Sequence, residues 1–244
     1  MHPILKKVEK NFKLAPYFWW GDYIDVRFFL AYQVSKEKKK KILDIGCGAG
    51  IILSMASDSC FKCGIDIDLV SLNYAKTIVP NGYFFKSKAS FLPFKDNVFE
   101  IILLSHLLGE INDKKEKEII MKEVYRCLKQ NGLLLITNTN RDNFITGRFR
   151  DKKLSLKELK ELVLKEDFEI KSIIGWNPIP SFIFFLPKKI KKRIPVKFLK
   201  YFTIPSFILA RIPFIFEAMA KIGKLKPILK YSRSFFLEAE KLSG

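Results

Sequence analysis

Short runs of apolar residues alternate with amphipathic segments along most of the chain. The runs are bounded by charged residues or glycine, which is typical of strands buried on both faces of a parallel sheet. They lie at residues 42–45, 63–67, 83–85, 101–104, 133–136 and 168–174. Apolar positions with helical spacing lie between them, at residues 51–57, 69–78, 114–128 and 157–164. This alternation predicts an α/β fold with a doubly wound, mostly parallel sheet.

The two ends of the chain depart from this alternation. Residues 1–35 form a predicted helical lead-in, and residues 36–176 hold the alternating core. Residues 177–232 form a basic, aromatic insertion in which seven prolines predict short, broken helices. Residues 233–244 carry one more apolar run, at 234–240. We therefore expect a seven-stranded sheet with a helical, basic insertion before its last strand.

The formal net charge of +19 indicates an anionic partner. The insertion holds twelve lysine and arginine residues against one glutamate, so it contributes more than half of the excess charge. Lysines mixed with phenylalanines favour an anionic membrane surface and a lipophilic substrate. The same composition suits RNA, through phosphate contacts and base stacking, or a lid whose lysines are merely solvated. These three interpretations stay open, with the membrane favoured.

The longest apolar stretch of the insertion favours peripheral attachment over a membrane span. Residues 201–220 are nearly long enough to cross a bilayer, but two prolines, one arginine and one glutamate interrupt them. The first residues of the chain do not resemble a secretory signal, and four cysteines do not suggest a disulfide framework. We expect a cytoplasmic protein, either free or peripheral on the inner face of the membrane.

Cys60 and Cys63 form a single C-x-x-C pair, the one pattern that suggests a metal. A tetrahedral zinc site needs about four ligands, and the chain has only two histidines. We therefore expect these thiols to pack around a strand and predict no metal site.

A glycine-rich turn follows the first predicted strand, in the segment Asp44-Ile45-Gly46-Cys47-Gly48-Ala49-Gly50. Glycine lets the backbone approach a ligand closely, and Asp44 offers a carboxylate to a cationic amino group. The spacing is G-x-G-x-G and not the G-x-G-x-x-G of dinucleotide folds. Asp66 ends the second strand, where an acidic residue binds ribose hydroxyls, with Asp68 as the alternative. The pattern favours a nucleoside that carries an amino acid over a dinucleotide.

Four ordered blocks resemble the class I S-adenosylmethionine (SAM)-dependent methyltransferases. They are the glycine segment, Gly64-Ile65-Asp66-Ile67, Leu92-Pro93-Phe94 with Phe99-Glu100, and the segment from Glu123 to Leu133. The resemblance covers about residues 40–176 and implies that SAM is the cofactor. It implies that the glycine segment holds the methionine part, Asp66 the ribose, and Ala89 with Ser90 the adenine. The complete set of implied cofactor-binding residues is Asp44, Gly46, Cys47, Gly48, Gly50, Asp66, Ile67, Ala89, Ser90 and Ser105.

The catalytic residues are less well defined by this resemblance. Ser105 and His106 end the fourth strand, facing the expected sulfonium, and His106 is the favoured base because an imidazole accepts protons near neutrality. Glu110 is the second candidate, with helix capping as the alternative role. Lys88 replaces the acidic residue that often binds the adenine amino group, and Gly109-Glu110-Ile111 replaces the Glu-His-Leu of many relatives.

The sequence therefore predicts methyl transfer to a small, lipophilic acceptor. The alternatives are an RNA methyltransferase, a catalytically inactive SAM-binding adaptor and, less favoured, an NAD-dependent oxidoreductase. Acceptor specificity is expected to come from residues 12–30 and 177–232. Within the lead-in, Trp19, Trp20 and Arg27 either close over the cofactor, with Arg27 pairing with its carboxylate, or pack in the core.

Overall fold

The computed structural model describes residues 26–142, 154–176 and 215–243. The predicted roles of Trp19, Trp20 and most of the basic insertion therefore lie outside the described residues. The strands are β1 (Lys41–Ile45), β2 (Phe61–Asp66), β3 (Gly82–Lys86), β4 (Phe99–Ser105), β5 (Leu128–Thr139), β6 (Phe168–Trp176) and β7 (Ser234–Lys241). The helices are α1 (Val26–Lys36), α2 (Leu69–Ile78), α3 (Lys114–Cys127), α4 (Leu156–Leu164), α5 (Ile215–Gly223) and α6 (Lys226–Tyr231).

The seven strands form one sheet in the order β3-β2-β1-β4-β5-β7-β6. Strands β1 to β5 run parallel, and β7 is antiparallel to both β5 and β6. The predicted α/β class and mostly parallel sheet are confirmed. Strand β1 pairs with β2 on one side and β4 on the other, so the strand order reverses there. Open α/β sheets bind ligands at such a switch point, beyond the carboxyl ends of the strands.

Each face of the sheet has its own hydrophobic core, as expected for a doubly wound fold. Helices α1 and α2 cover one face, where Phe29 lies 4.7 Å from Trp176 and 4.9 Å from Phe236 between ring centroids. Helices α3 and α4 cover the other face, with Val124 and Leu159 fully buried. Helix α1 thereby packs over β5 and β7, and Phe29 extends its contacts to Trp176 of β6.

The prediction of a helix over residues 51–57 is wrong, because the segment forms only a 3-10 turn at Leu53–Met55. The bonds from Met55 N–H to the Ile52 carbonyl and from Ala56 N–H to the Leu53 carbonyl close three-residue turns. The segment has no room for a longer helix, because another turn follows at residues 58–59. Its apolar residues are nevertheless buried in the core beneath α1.

The described part of the predicted insertion is helical and packs on β6. A Cβ added at Gly223 of α5 would clash with the Gly175 carbonyl of β6, and one added at Gly175 would clash with Ser232, which follows α6. Glu217 of α5 pairs with Lys36 at the end of α1, 3.5 Å away. Among the described helices, none combines the length and apolar character that a membrane crossing requires.

Cys60 and Cys63 do not form a joint site. Both are buried, but Cys60 belongs to the core beneath α1 and Cys63 to the core on the opposite face of the sheet. Within residues 26–142, 154–176 and 215–243, no three histidine, cysteine or acidic side chains cluster as metal ligands.

Candidate cofactor and active site

A cavity of about 200 Å³ lies at the carboxyl ends of β1 and β4, beneath α1. It combines one carboxylate, one guanidinium, one imidazole and a wall of apolar side chains. The lining residues are Arg27, Phe28, Ala31, Asp44, Gly46, Cys47, Gly48, Ala49, Ile51, Ile52, Met55, Ser105 and His106. Six of the predicted site residues thus meet in one place: Asp44, Gly46, Cys47, Gly48, Ser105 and His106.

The glycine loop between β1 and the 3-10 turn adopts a backbone that favours glycine. Gly46, Gly48 and Gly50 have φ angles of +73°, +50° and +71°. The N–H groups of Gly46 and Cys47 bind the carbonyl of Ile65, which fastens the loop to β2. A Cβ added at Gly48 would meet no atom within 4 Å, so this residue presents bare backbone to open space. The loop is a cradle for a closely approaching ligand.

Asp44 is the most unusual group in the cavity, because its side chain is 1% exposed and neither oxygen has a hydrogen-bond partner among the described residues. Burial, and secondarily the nearby charge of Asp66, raise the pKa of Asp44 to about 7. A buried carboxylate without a partner is costly, whereas a cationic group that enters the cavity would supply one. Asp44 and the glycine loop therefore fit the amino-acid part of SAM.

The two candidate ribose residues have different contacts. Asp66 accepts hydrogen bonds from the N–H groups of Gly48, at 2.8 Å, and Asp68, at 3.0 Å. Asp68 caps α2, where its carboxylate accepts from the N–H groups of Val70 and Ser71. A hydrogen bond from the Ser71 hydroxyl, together with these two N–H bonds, lowers the pKa of Asp68. The Asp68 carboxylate thus caps α2, whereas the Asp66 carboxylate contacts the glycine loop.

Ser105 and His106 end β4 on the side of the cavity that faces β5. The Ser105 hydroxyl lies 3.2 Å from that of Thr137, and Nδ1 of His106 lies 3.2 Å from the Thr139 hydroxyl. His106 has a φ angle of +58°, uncommon for a residue with a side chain, and its N–H donates to the Thr137 carbonyl. The imidazole is held by both backbone and side-chain contacts.

Arg27 brings a positive charge to the same cavity from the first turn of α1, while its neighbour Phe28 is buried. An arginine fork binds carboxylates through paired hydrogen bonds. Cys47 also lines the cavity, but burial raises the pKa of its thiol, which suits packing rather than nucleophilic attack.

Other predicted residues do not line this cavity. Gly50 packs beneath the loop, where an added Cβ would meet Ala75 at 3.1 Å. Ile67 follows β2 and is 65% exposed, and Ala89 with Ser90 forms a turn after β3. All three lie at the carboxyl edge of the sheet. Glu110 is exposed, and its N–H closes a turn onto the Leu107 carbonyl.

The sequence analysis did not find the apolar wall of the cavity or the hydroxyls behind His106. In the sequence, core packing and cavity lining give the same apolar pattern. We could therefore not distinguish Phe28, Ala31 and Met55 from core positions. Thr137 and Thr139 had a detectable signal: polar residues replace the apolar run of β5 where it reaches the ligand edge.

Comparison with known proteins agrees with this geometry. A family profile described as "Methyltransferase domain" matches residues 43–136. An uncharacterized protein of Methanocaldococcus jannaschii is 32% identical over 66% of this chain and 66% of its own length. The ubiquinone/menaquinone biosynthesis C-methyltransferase UbiE of Campylobacter jejuni is 30% identical over 46% of this chain and 51% of its own.

The fold extends beyond these segments. The crystal structure of a SAM-dependent methyltransferase from Methanosarcina mazei matches 85% of this chain and 95% of its own, with a TM-score of 0.55 and 21% identity. The chain spans between about half and two thirds of the length of the two curated relatives above. The matched segment, residues 43–136, begins just before the glycine loop and includes Asp66 and the end of β4. Residues 43–136 therefore form a methyltransferase domain of the class I, SAM-dependent type.

Proposed function

We propose that this protein transfers a methyl group from SAM to a small, lipophilic acceptor in the cavity beneath α1. One observation carries the proposal: Asp44, buried and without a hydrogen-bond partner among the described residues, lies beside the glycine loop in the same cavity as His106. The first two features suit a cationic amino-acid ligand, and the imidazole suits proton removal from an acceptor.

We assign the cofactor contacts according to the chemistry of each group. Asp44 would hold the ammonium group, Arg27 the carboxylate, and Asp66 the ribose hydroxyls. Gly46, Cys47, Gly48 and Gly50 would shape the backbone cradle, and Ser105 would lie near the reacting centre. Ile67, Ala89 and Ser90 would flank the adenine. When bound, SAM supplies an electrophilic methyl group, so the protein mainly has to align the acceptor and exclude water.

His106 is the proton acceptor in this proposal. Its ring lines the cavity next to Ser105, whereas Glu110 is exposed and outside the lining. An imidazole can take a proton from a hydroxyl, a phenol or an amine near neutral pH. We therefore place general-base function at His106 and not at the second candidate, Glu110.

Three features support a lipophilic acceptor. Phe28, Ala31 and Met55 give the cavity an apolar wall. The Campylobacter relative is named a ubiquinone/menaquinone biosynthesis C-methyltransferase. The net charge of +19 suits a protein that meets anionic lipid at the inner face of a membrane and is otherwise cytoplasmic.

Transfer of radiolabelled methyl from SAM tests the acceptor class. The purified chain is incubated separately with a total lipid extract and with total RNA, and the label is followed into each product. We expect label in the organic-solvent fraction, strongly reduced by His106→Gln and unchanged by Asp142→Asn, which alters an exposed carboxylate. Label in RNA would replace the lipophilic acceptor with a nucleic acid. SAM binding without transfer to either would favour the adaptor.

A further inference from the structure

A row of hydroxyl groups connects the ends of β4 and β5 behind the cavity. Ser105 pairs with Thr137 across the two strands, and their hydroxyl oxygens lie 3.2 Å apart. Thr139 lies two residues further along β5, so its side chain points to the same face as Thr137. Its hydroxyl is 3.2 Å from Nδ1 of His106. The imidazole is therefore attached to β5 through one hydroxyl.

The backbone of His106 is fixed by β5 as well. Its N–H donates to the Thr137 carbonyl at 2.8 Å, and its φ angle of +58° places it in the left-handed region. A residue with a side chain adopts this conformation at a cost of about 1 kcal/mol or more, and such residues are enriched at functional sites. Backbone and ring are thus both held by the polar end of β5, although the local conformation is unfavourable.

We propose that Thr139 is a positioning residue that sets the tautomer of His106. A threonine hydroxyl either donates to Nδ1 or accepts from Nδ1–H. The proposed base function needs the ring lone pair on Nε2, so in this proposal the hydroxyl accepts from Nδ1–H. A histidine tautomer is fixed by the hydrogen bond that the other ring nitrogen makes. The inference rests on the proposed function for the role of His106 as base, but the tautomer itself is a property of the protein alone.

The tautomer determines how the proton moves. The acceptor's O–H or N–H bond breaks, the proton binds the Nε2 lone pair, and the electron pair stays on the acceptor atom that becomes methylated. The resulting imidazolium keeps its Nδ1–H on the Thr139 hydroxyl and later releases the Nε2 proton to solvent. With the opposite tautomer, Nε2 would already carry a proton and the ring could not act as base from that nitrogen.

Nitrogen-15 NMR of histidine-labelled protein tests the inference without cofactor or acceptor. The chain has only two histidines, His2 and His106, so the spectrum of His106→Gln assigns the signals. We expect the neutral ring of His106 to carry its proton on Nδ1 in the wild type. Thr139→Val keeps the shape but removes the hydroxyl, and should shift the population towards the Nε2–H form. Thr139→Ser keeps the hydroxyl and should preserve the wild-type tautomer.

Thr137→Val is the matched control, because it removes the hydroxyl next to Ser105 and leaves the one next to His106. It should leave the His106 tautomer unchanged. A wild-type ring protonated on Nε2 overturns the proposal by itself, whether or not any variant folds. An unchanged tautomer in folded Thr139→Val overturns it as well.

Steady-state kinetics provide the catalytic readout. We expect Thr139→Val to lower kcat about tenfold with little change in KM, and Thr139→Ser to recover most of the loss. Equal losses in the two variants would assign Thr139 to packing and contradict the positioning role. If the tautomer changes as expected but no transfer is found in any variant, the proposed function fails and the structural inference stands.

Discussion

At the scale of single residues, Asp44 shows the conflict between stability and binding most directly. Its carboxylate is buried without a hydrogen-bond partner among the described residues. Burial and the charge of Asp66 raise its pKa to about 7, so below that pH the neutral form is favoured in the folded, ligand-free protein. A cationic ligand group would reverse that preference, because it stabilises the ionised form. Asp44 is therefore costly to the fold and useful only when a ligand is present.

This conflict predicts an unusual pH dependence. Because the pKa of Asp44 is higher in the folded than in the unfolded state, its contribution to stability is complete below about pH 4 and is lost as pH rises through about 7. The shift corresponds to an upper bound of roughly 4 kcal/mol. Asp44→Asn should remove this contribution and make the ligand-free protein more stable at pH 8. Chemical denaturation between pH 5 and 8 measures both effects. If the free energy of unfolding of Asp44→Asn fell with rising pH as steeply as that of the wild type, the pH dependence would not come from Asp44.

At the scale of elements, the glycines of the loop have two different roles, tight packing and access to the cavity. The sequence motif does not distinguish between them. Gly50 needs its small size for packing, since an added Cβ meets Ala75 at 3.1 Å and Phe84 at 3.5 Å. Gly48 has open space around it and faces the cavity. Both have positive φ angles, so alanine costs about 1 kcal/mol at either position from the backbone alone.

We therefore predict opposite effects for two alanine substitutions. Gly48→Ala should lower the free energy of unfolding by only about 1 kcal/mol but weaken SAM binding strongly, because the new methyl group occupies the cradle. Gly50→Ala should destabilise more and affect binding less in the molecules that remain folded. Denaturation and calorimetry on the same samples separate the two. If Gly48→Ala and Gly50→Ala lost stability and SAM affinity in the same ratio, the loop would act as one unit.

Arg126 on α3 organises the connection between β3 and β4. Its guanidinium binds Glu123 and Asp96 and donates to the carbonyls of Leu92 and Phe94. The Glu123 carboxylate also accepts the N–H of Leu92. The bonds to the two carboxylates raise the pKa of Arg126, so it stays charged. This helix therefore holds the loop that follows the predicted adenine residues.

Arg126→Leu is predicted to lower the free energy of unfolding by about 3 kcal/mol, because several hydrogen-bond acceptors lose their donor together. Lys157→Met is the control: it removes an exposed ion pair with Glu161 and should change stability by less than about 0.5 kcal/mol. Urea denaturation of both variants gives the comparison. A loss below 1 kcal/mol at Arg126 would mean that the loop is held by its apolar contacts.

The limits of the helices and strands show which elements could be predicted from the sequence. The parallel strands were predictable because charged residues and glycines bound their apolar runs, and α2 was predicted at its observed limits, residues 69–78. The helix at 51–57 was not, because a short, mostly apolar segment fits a helix and a buried turn equally well. Strand β5 begins five residues earlier than predicted, at Leu128, and crosses an irregularity next to Asn131 and Gly132.

The same limit applies to the site. Asp44, Gly46 and Gly48 were accessible to sequence reasoning because a glycine loop after a strand has a recognisable pattern. The contribution of α1 to the cavity could not be predicted from the sequence, because Phe28 and Ala31 look like ordinary core residues. They reach the cavity only because α1 packs on the sheet. The bond between His106 and Thr139 joins residues 33 positions apart and depends on the pairing of β4 with β5.

At the scale of the whole molecule, the excess positive charge is the feature that the fold leaves unexplained. The net charge is +19, and attraction to an anionic surface grows with the number of lysines near it. In the membrane proposal this charge brings the enzyme to its acceptor. The attraction must then weaken as salt screens it.

Vesicle cosedimentation tests this proposal. We predict binding to vesicles with anionic lipid that falls with rising salt, and weaker binding when Lys188, Lys189, Lys191, Lys192 and Arg193 are neutralised together. The control neutralises five exposed lysines elsewhere: Lys38, Lys39, Lys40, Lys76 and Lys95. Equal losses in the two variants would indicate a general charge effect. Vesicle binding unchanged after neutralising the first set would contradict membrane attachment through the insertion.

Isothermal calorimetry measures whether the cavity around Asp44 binds SAM. SAM and S-adenosylhomocysteine are titrated into the wild type and Asp44→Asn, with NAD as the negative control. The account predicts wild-type affinities in about the micromolar range, at least tenfold weaker binding to Asp44→Asn, and none for NAD. Absence of binding to the folded wild type, or equal affinity in folded Asp44→Asn, would contradict it.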